Sequence, residues 1–306
     1  MTAGAVRAKR EAIDGVLLLD KPAGITSQTA VSRVKALFNA AKAGHTGTLD
    51  PMATGLLPIA LGEATKFSSA LLDADKAYLA TVRLGLTTTT GDLEGGVIAR
   101  GEVDQDRSGI ETVLERFRGE IVQTPPMYSA LKHQGRALYT YAREGVEIER
   151  MARAVTISTL VLEDYAAPDL RIFVACSKGT YIRVLAEDIG KALGCGATLA
   201  GLRRTQVGRF SVTDAHALNA LDALSIPARR EKLLPVDAML AERPVMRLDE
   251  AQRARIANGQ AVECTTCAPG LVRLVDAQGH FVGIAEAGDS GILKPRRLVA
   301  QKPPNT

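Results

Sequence analysis

The sequence predicts an α+β protein in which a central mixed or antiparallel sheet is flanked by helices and loops, followed by a small β-rich module. Two observations carry this prediction. Segments of strand and helix periodicity interleave without a regular βαβ repeat, which disfavours a doubly wound parallel sheet. Beyond Arg243 the pattern changes to short strands around one helix. A third observation sets the scale: 306 residues suggest about two domains at roughly 100–200 residues each.

Each element has its own signal. Asp14 to Asp20 encloses Val16-Leu17-Leu18-Leu19, a short buried strand. Ala30, Val31, Val34, Leu37 and Phe38 then recur at helical spacing behind Thr26 and Ser27, either of which can cap the helix. Ala43 to Gly55 has no period and contains Gly44, Gly47 and Gly55, so it reads as a loop. In Lys76–Gly85, Tyr78, Ala80, Val82 and Leu84 share one parity, as on a half-buried strand. Ser108-x-x-Glu111 reads as a capping box before the stripe Ile110, Val113, Leu114 and Phe117. Val155–Tyr165 and Leu170–Ser177 are β-rich. A helix from about Thr180 stops at Gly194, where a residue without Cβ suits the C-terminal cap. After Asp214 the chain turns Ala-rich and helical, punctuated by Pro227, Pro235 and Pro244. These signals divide it into residues 1–243 and 244–306. The second part holds a short strand, a helix over Asp249–Asn258 ending at Gly259, and a hairpin (Leu271–Val275, His280–Ala285) whose turn contains Gly279.

Composition narrows the function classes. Hydrophobic residues make up 46% and charged residues 24%, a globular balance that excludes disorder or a coiled coil as the main state. With six Phe, six Tyr and no Trp, the core must be mainly aliphatic. No apolar run approaches the roughly 18 residues of a membrane span. Val16–Leu19 is too short, and too closely bracketed by Asp14 and Asp20, to be a signal segment, so a cytoplasmic protein is expected. The net charge, 38 − 34 = +4, is small. Its placement says more: Arg7-Ala8-Lys9-Arg10, Leu202-Arg203-Arg204 and Lys294-Pro295-Arg296-Arg297 could follow a phosphate backbone if they share a face. Cys176 and Cys195 read as inert thiols. Cys264-Thr-Thr-Cys267 lacks the second ligand pair that structural zinc requires and reads as two loop thiols.

The most unusual segment is Ala43-Gly44-His45-Thr46-Gly47-Thr48-Leu49-Asp50-Pro51-Met52-Ala53-Thr54-Gly55. Its glycines allow close backbone approach, and Pro51 keeps Asp50 extended at a sharp corner. Two readings stand: a carboxylate on a stiff corner placed for chemistry, or a plain turn cap. Neither the Walker motif nor GxGxxG is present. Asp50 has no acidic neighbour within ten residues, and His45, His133, His216 and His280 are scattered, so nothing in the pattern gathers a metal site.

Longer stretches carry a resemblance. Gly15-Val16-Leu17-Leu18-Leu19-Asp20-Lys21-Pro22-x-Gly24, followed by Gly44-His45-Thr46-Gly47-Thr48-Leu49-Asp50-Pro51-x-Ala53-Thr54-Gly55, closely resembles the tRNA pseudouridine-55 synthases of the TruB family. So do Gly62-Glu63-Ala64-Thr65-Lys66, Asp75-Lys76-x-Tyr78, Pro126-Met127-Tyr128-Ser129-Ala130-Leu131-Lys132 and Cys176-Ser177-Lys178-Gly179-Thr180-Tyr181-Ile182-Arg183. Leu202-Arg203-Arg204 completes a series that runs in the family's order from about residue 14 to 204. Gly270-Leu271-Val272-Arg273 and Pro295-Arg296-Arg297-Leu298-Val299 look like the PUA-type RNA-binding ending of the bacterial members.

The resemblance implies the pseudouridine synthase fold and isomerisation of a T-loop uridine in tRNA. Asp50 would be the nucleophile, attacking the ribose C1′ or the base C6. The uracil detaches, turns and rejoins through C5, a reaction that requires no metal and no redox cofactor. The target must first be flipped from a folded T-arm. His45 would support the space left by the flipped nucleotides. Tyr78 would stack on the ring and could act as general base. Arg183 would pair with Asp50 through a forked hydrogen bond, Tyr181 would line the uracil pocket from the same extended segment, and Leu202 would contact the base. Lys21 would support the site rather than react.

A different class remains in view: an RNA-binding protein or tRNA-folding chaperone that opens the T-arm without chemistry. It would use the basic clusters and the PUA-like module but has no need of Asp50, Tyr78 and Arg183 together. A guide-dependent synthase with protein partners is the other alternative. The complete N-terminal portion and the lack of an evident docking extension favour an enzyme that acts on tRNA with neither guide RNA nor obligatory protein partner. A metal-dependent nuclease lacks its carboxylate cluster.

Overall fold

The computed structural model describes residues 10–264 and 267–300. Of the first basic cluster, Arg7, Ala8 and Lys9 lie outside the described residues. The strands that frame the site are β1 (Gly15–Lys21), β2 (Ala43–His45), β3 (Thr54–Leu61), β4 (Lys76–Leu84), β5 (Gly119–Gln123), β6 (Arg153–Ala166), β7 (Asp169–Cys176) and β8 (Ala197–Val207). They belong to one ten-stranded mixed sheet. Its path runs from His216–Ala217 through β1, β3, β8, β4, β7 and β6 to β5, with β2 on the β3 margin.

Antiparallel pairing dominates, and the parallel β8–β3 junction sits at the middle of the sheet. There Arg203 faces Thr54 and Arg204 faces Gly55. On its other side β8 sets Arg204 opposite Tyr78 of β4, whose far neighbour is Val174 of β7. Gly55 has φ +100°, and a Cβ there would lie 2.3 Å from the Arg204 carbonyl oxygen. Only glycine lets the two strands close at this point.

Helix α1 (Ser27–Leu37) begins behind Thr26, whose side chain accepts the Thr29 N–H. It buries Ala30, Val31 and Val34 in the core cluster that holds Leu17, Leu19 and Ile59. Helix α2 (Arg107–Glu115) corrects the sequence reading of its start. The cap is Asp106, whose carboxylate accepts the Gly109 N–H at 2.8 Å, and Ser108 lies inside the helix with its hydroxyl on that carboxylate. A charged acceptor one turn-step earlier takes the orphan amide, and Glu111 pairs with Arg107 at 3.0 Å instead of reaching back. After a short helix, α3 (Leu138–Arg143), α4 (Ile182–Ala192) packs Ile182, Leu185, Ala186 and Ile189 inward and ends before Gly194 at φ +82°.

The stretch read as one loop, Ala43–Gly55, contributes β2, whose residues pair with Ile59–Leu61. Three residues are too few to show a period, so only the partner strand reveals them. The Ala-rich part after Asp214 forms short helices over Leu218–Asp222 and Ile226–Arg230.

Beyond Arg243 a five-stranded sheet forms from β9 (Val245–Arg247), β10 (Gly270–Val275), β11 (Phe281–Ala287), β12 (Ile292–Leu298) and Val262–Glu263. Helix α5 (Glu250–Ala257) opens with a capping box between Asp249 and Gln252. Leu248, Ile256, Val272, Leu274, Ala285 and Leu293 close a separate core. Phe281 packs edge-on against Phe67 of the larger sheet domain at 5.1 Å, and Lys66 donates to the Leu298 carbonyl at 3.1 Å. Cys264 and Cys267 are not two loop thiols: they form a disulfide. Their Cα atoms lie 5.7 Å apart, within reach of a bridge. Among the described residues no helix is long and apolar enough to cross a membrane.

Candidate active site

Asp50 projects from the turn between β2 and β3. Its carboxylate, about one-third exposed, lies at the wall of a cavity of about 310 Å³. Tyr78, Ser129, Tyr181, Arg183 and Leu202 also line that cavity, from four separate parts of the chain. A larger cleft of about 860 Å³ beside α1, lined by Arg33, Asn219, Asp222 and Arg229 among others, contains none of these residues.

The centre of the arrangement is Arg183, in the first turn of α4 and only 5% exposed. Its Nε lies 3.0 Å from Asp50 Oδ2 and 3.7 Å from Asp92 Oδ2. Its Nη1 donates to the Thr90 carbonyl at 2.9 Å and its Nη2 to the Tyr128 carbonyl at 2.7 Å. The forked contact expected from the sequence is therefore replaced by a single one. The guanidinium divides its donors among three loops, because it enters between them from the helix. Nor do Tyr181 and Arg183 share an extended segment: Tyr181 is the extended N-cap residue of α4, whereas Arg183 is already helical. Both reach the cavity all the same.

Charge at the site is finely opposed. Burial pushes the Asp50 carboxyl above its ordinary range, Arg183 pulls it back, Asp92 pushes it further up and Lys21 pulls it down. Tyr78 is 8% exposed, and burial raises its phenol while the neighbouring Arg204 guanidinium opposes that rise. Lys21 is fully buried and does not line the cavity. Its ammonium donates to the Pro22, Ile25 and Pro51 carbonyls at 2.9, 2.8 and 3.3 Å, and burial brings it down to about 8. It sits beneath the Asp50 turn. His45, at the end of β2, is also outside the cavity lining. Its Nδ1 accepts the Gly47 N–H at 3.3 Å, and burial lowers its pKa.

The basic run Leu202-Arg203-Arg204 is no phosphate track. Arg203 forks onto Asp20, at 3.0 and 2.7 Å, and Arg204 is 2% exposed. Strand alternation sends neighbouring side chains to opposite faces, and here both faces are occupied. Lys294, Arg296 and Arg297 on β12 are exposed.

Sequence reasoning missed two polar residues. Asp92, 3% exposed, sits in a turn where Thr90 Oγ1 donates to its carboxylate at 2.6 Å. Gly91-Asp92-Leu93-Glu94-Gly95 resembles any solvated turn in sequence, so no signal marked it. Gln123, 1% exposed at the end of β5, accepts the Tyr181 N–H at 3.0 Å and donates to the Tyr181 carbonyl at 3.3 Å. The Arg153 guanidinium covers the Tyr181 ring at 5.2 Å. Among the described residues no three His, Cys, Asp or Glu side chains converge as metal ligands would.

The arrangement offers a carboxylate held against a guanidinium, an aromatic wall and an opening large enough for one small planar ring. Known proteins share this chain's pattern. Residues 35–182 match the family model described as TruB family pseudouridylate synthase (N terminal domain). Residues 183–241 match the tRNA pseudouridylate synthase B C-terminal domain, and 244–299 match Pseudouridine synthase II TruB, C-terminal. A curated tRNA pseudouridine synthase B of Burkholderia mallei is 53% identical over 300 residues, covering 96% of either chain. One of Aromatoleum aromaticum is 53% identical over 294 residues, covering 96% of this chain and 95% of its own. Of solved structures, a Cbf5–Nop10–Gar1 complex holds a chain similar at TM-score 0.72 and 28% identity, over 93% of this chain and 84% of that one. A chain of the archaeal box H/ACA sRNP Nop10–Cbf5 complex is similar at TM-score 0.71 and 26% identity, over 97% of this chain and 88% of that one.

Proposed function

The chain belongs to the TruB family of pseudouridylate synthases, and from that membership we propose that it isomerises the T-loop uridine of tRNA, position 55, to pseudouridine. The observation that supports this most is Asp50. It is partly exposed at the wall of a base-sized cavity and lies 3.0 Å from a buried arginine. An ionised carboxylate with a fixed rotamer is what nucleophilic attack requires.

The target base enters the cavity after flipping out of the T-arm, with Tyr78 as its stacking face and Tyr181 and Leu202 around its edges. His45, neutral and ending β2, supports the RNA beside the vacated stack. Asp50 attacks at C1′ or C6. The N1–C1′ bond breaks with its electron pair on the uracil, the ring turns, C5 forms the new bond to C1′, and the bond to Asp50 breaks with its electron pair returning to the carboxylate. One proton leaves C5 and one appears at N1, so atoms and electrons balance without a cofactor. Tyr78 is the candidate base for proton removal, although burial raises its phenol and Arg204 offsets that rise only in part.

The substrate reading is tRNA recognised without a guide. Relatives named tRNA pseudouridine synthase B are 53% identical to this chain, against 28% for the Cbf5 chain. The PUA-like module at 244–306 would extend the grip on tRNA through exposed Lys294, Arg296 and Arg297. A chaperone without chemistry would have no use for Asp50, Tyr78 and Arg183 together.

The test is pseudouridine-specific chemical labelling of an unmodified tRNA transcript incubated with and without the protein. Label should appear at the T-loop uridine only with protein. A T-loop uridine that stays unlabelled overturns the proposal.

A further inference from the structure

The turn that carries Asp50 is held from outside itself. Leu49, the residue before Asp50, is tied to Ser27 at the start of α1: its N–H donates to Ser27 Oγ at 2.8 Å, and that hydroxyl donates to the Leu49 carbonyl at 3.1 Å. Pro51, the residue after it, accepts from Lys21 at 3.3 Å and from the Gly24 N–H at 2.8 Å. Arg204 joins the two arms of the turn. Its Nη2 donates to the Gly47 carbonyl at 3.2 Å, its Nη1 to Thr48 at 3.4 Å and its Nε to Leu56 at 2.8 Å.

Arg204 is the unusual member of this cradle. It is 2% exposed, and among the described residues no carboxylate forms an ion pair with it. Its hydrogen-bond partners are those carbonyls, and across the β8–β4 ladder it stands opposite Tyr78. A buried cation is costly, and an apolar side chain of similar volume is often as stable or more so. Packing alone therefore gives no reason for a guanidinium here. What only a guanidinium supplies is a rigid planar fork that can reach several carbonyls at once. Arg204 also stands opposite Tyr78 across the ladder and its charge acts on that phenol, so the nucleophile's turn and the aromatic wall are referred to one rigid group.

We propose that Arg204, with Ser27 on the opposite side of the turn, is a positioning residue that fixes the Asp50 carboxylate relative to Tyr78 so that attack occurs in a single geometry. This rests on the reading of Asp50 as nucleophile. Misplacement by about 1 Å of a reacting group costs about 100-fold in rate, so loss of the cradle should lower product formation without lowering RNA affinity.

The experiment compares Arg204→Lys, Ser27→Ala and Ser27→Thr with wild-type protein in single-turnover conversion of a tRNA transcript. It also measures tRNA affinity, thermal midpoint and backbone hydrogen exchange over residues 46–53. Arg204→Lys keeps the charge but not the fork, and should slow conversion by about 10–100-fold. Ser27→Ala should slow it about tenfold, while Ser27→Thr, which keeps the hydroxyl, restores most of the rate. Affinity should stay within about threefold, and exchange should quicken over 46–53 while β4 and β7 stay protected. Rates within twofold of wild type overturn the proposal, as do parallel losses of rate and affinity or exchange that quickens throughout the sheet. Should Arg204→Lys fail to fold, the Ser27 pair decides. A wild-type protein that makes no pseudouridine overturns the isomerase reading instead, and the exchange pattern then judges the cradle alone.

Discussion

Arg183 Nε lies 3.0 Å from Asp50 Oδ2, while the other two nitrogens of the same guanidinium donate to the Thr90 and Tyr128 carbonyls. One buried group thus ties the carboxylate to the turn at Thr90 and to the segment Tyr128–Ser129, of which Ser129 lines the cavity. Asp92, 3.7 Å from the same Nε, brings a second carboxylate to it.

Asp50→Asn is nearly isosteric and leaves the turn's backbone contacts in place. Product formation should vanish while tRNA affinity stays within several-fold. Substantial turnover by this variant, measured by pseudouridine labelling under single-turnover conditions, would remove Asp50 from its role.

Arg183→Lys retains a positive charge but cannot reach Asp50, Thr90 and Tyr128 together. The rate should fall by about 100-fold or more, since a fork shared among three acceptors is not reproduced by an ammonium. Binding should change far less. An unchanged single-turnover rate would contradict the hub.

Burial and Asp92 hold the Asp50 carboxyl above its ordinary range, so the reactive carboxylate is lost on acidification sooner than for a free aspartate. The rate of conversion should fall on an acid limb lying above the usual carboxylate value. Asp92→Asn removes a like charge and should move that limb to lower pH, whatever it does to the plateau. A limb that stays put, or moves up, refutes the electrostatic account.

Gln123 satisfies both backbone polar groups of Tyr181 from a buried position. Gln123→Met leaves them without that partner, and should cost about 1–3 kcal/mol of stability in a denaturant titration. A midpoint unchanged within error would show that Tyr181 finds other partners at no cost.

Exposed Lys294, Arg296 and Arg297 predict tRNA affinity that declines as salt rises, roughly linearly on logarithmic axes. A Lys294→Ala, Arg296→Ala, Arg297→Ala triple variant should show a shallower slope. A wild-type titration that is flat removes these residues from phosphate contact.

The apolar signals of β1, β4, β6, β7, α1 and α4 are local. The buried face of the last five is written every second or every third to fourth residue, and β1 is a continuous apolar run buried on both faces. Asp50 was legible for another reason. Its glycines and Pro51 mark a stiff corner, and the motif's likeness to a family supplies a role that turn chemistry alone leaves open. Polar partnerships were not legible. Asp92 looks like part of any solvated turn, Gln123 carries no signal in the sequence and Arg204 reads as part of a basic run, yet all three are buried.

What the sequence determined by itself is thus the strands and helices with a clear apolar signal, β1, β4, β6, β7, α1 and α4 among them, and the corner bearing Asp50, since local sterics and apolar spacing act within a few residues. Only tertiary structure decided that Arg203 is spent on Asp20, that Arg204 turns inward beneath the Asp50 turn, and that Cys264 bonds to Cys267. A polar side chain's surroundings come from whichever distant segment packs on it. For Arg204 those segments are the Gly47–Leu56 turn and β4, more than a hundred residues away along the chain.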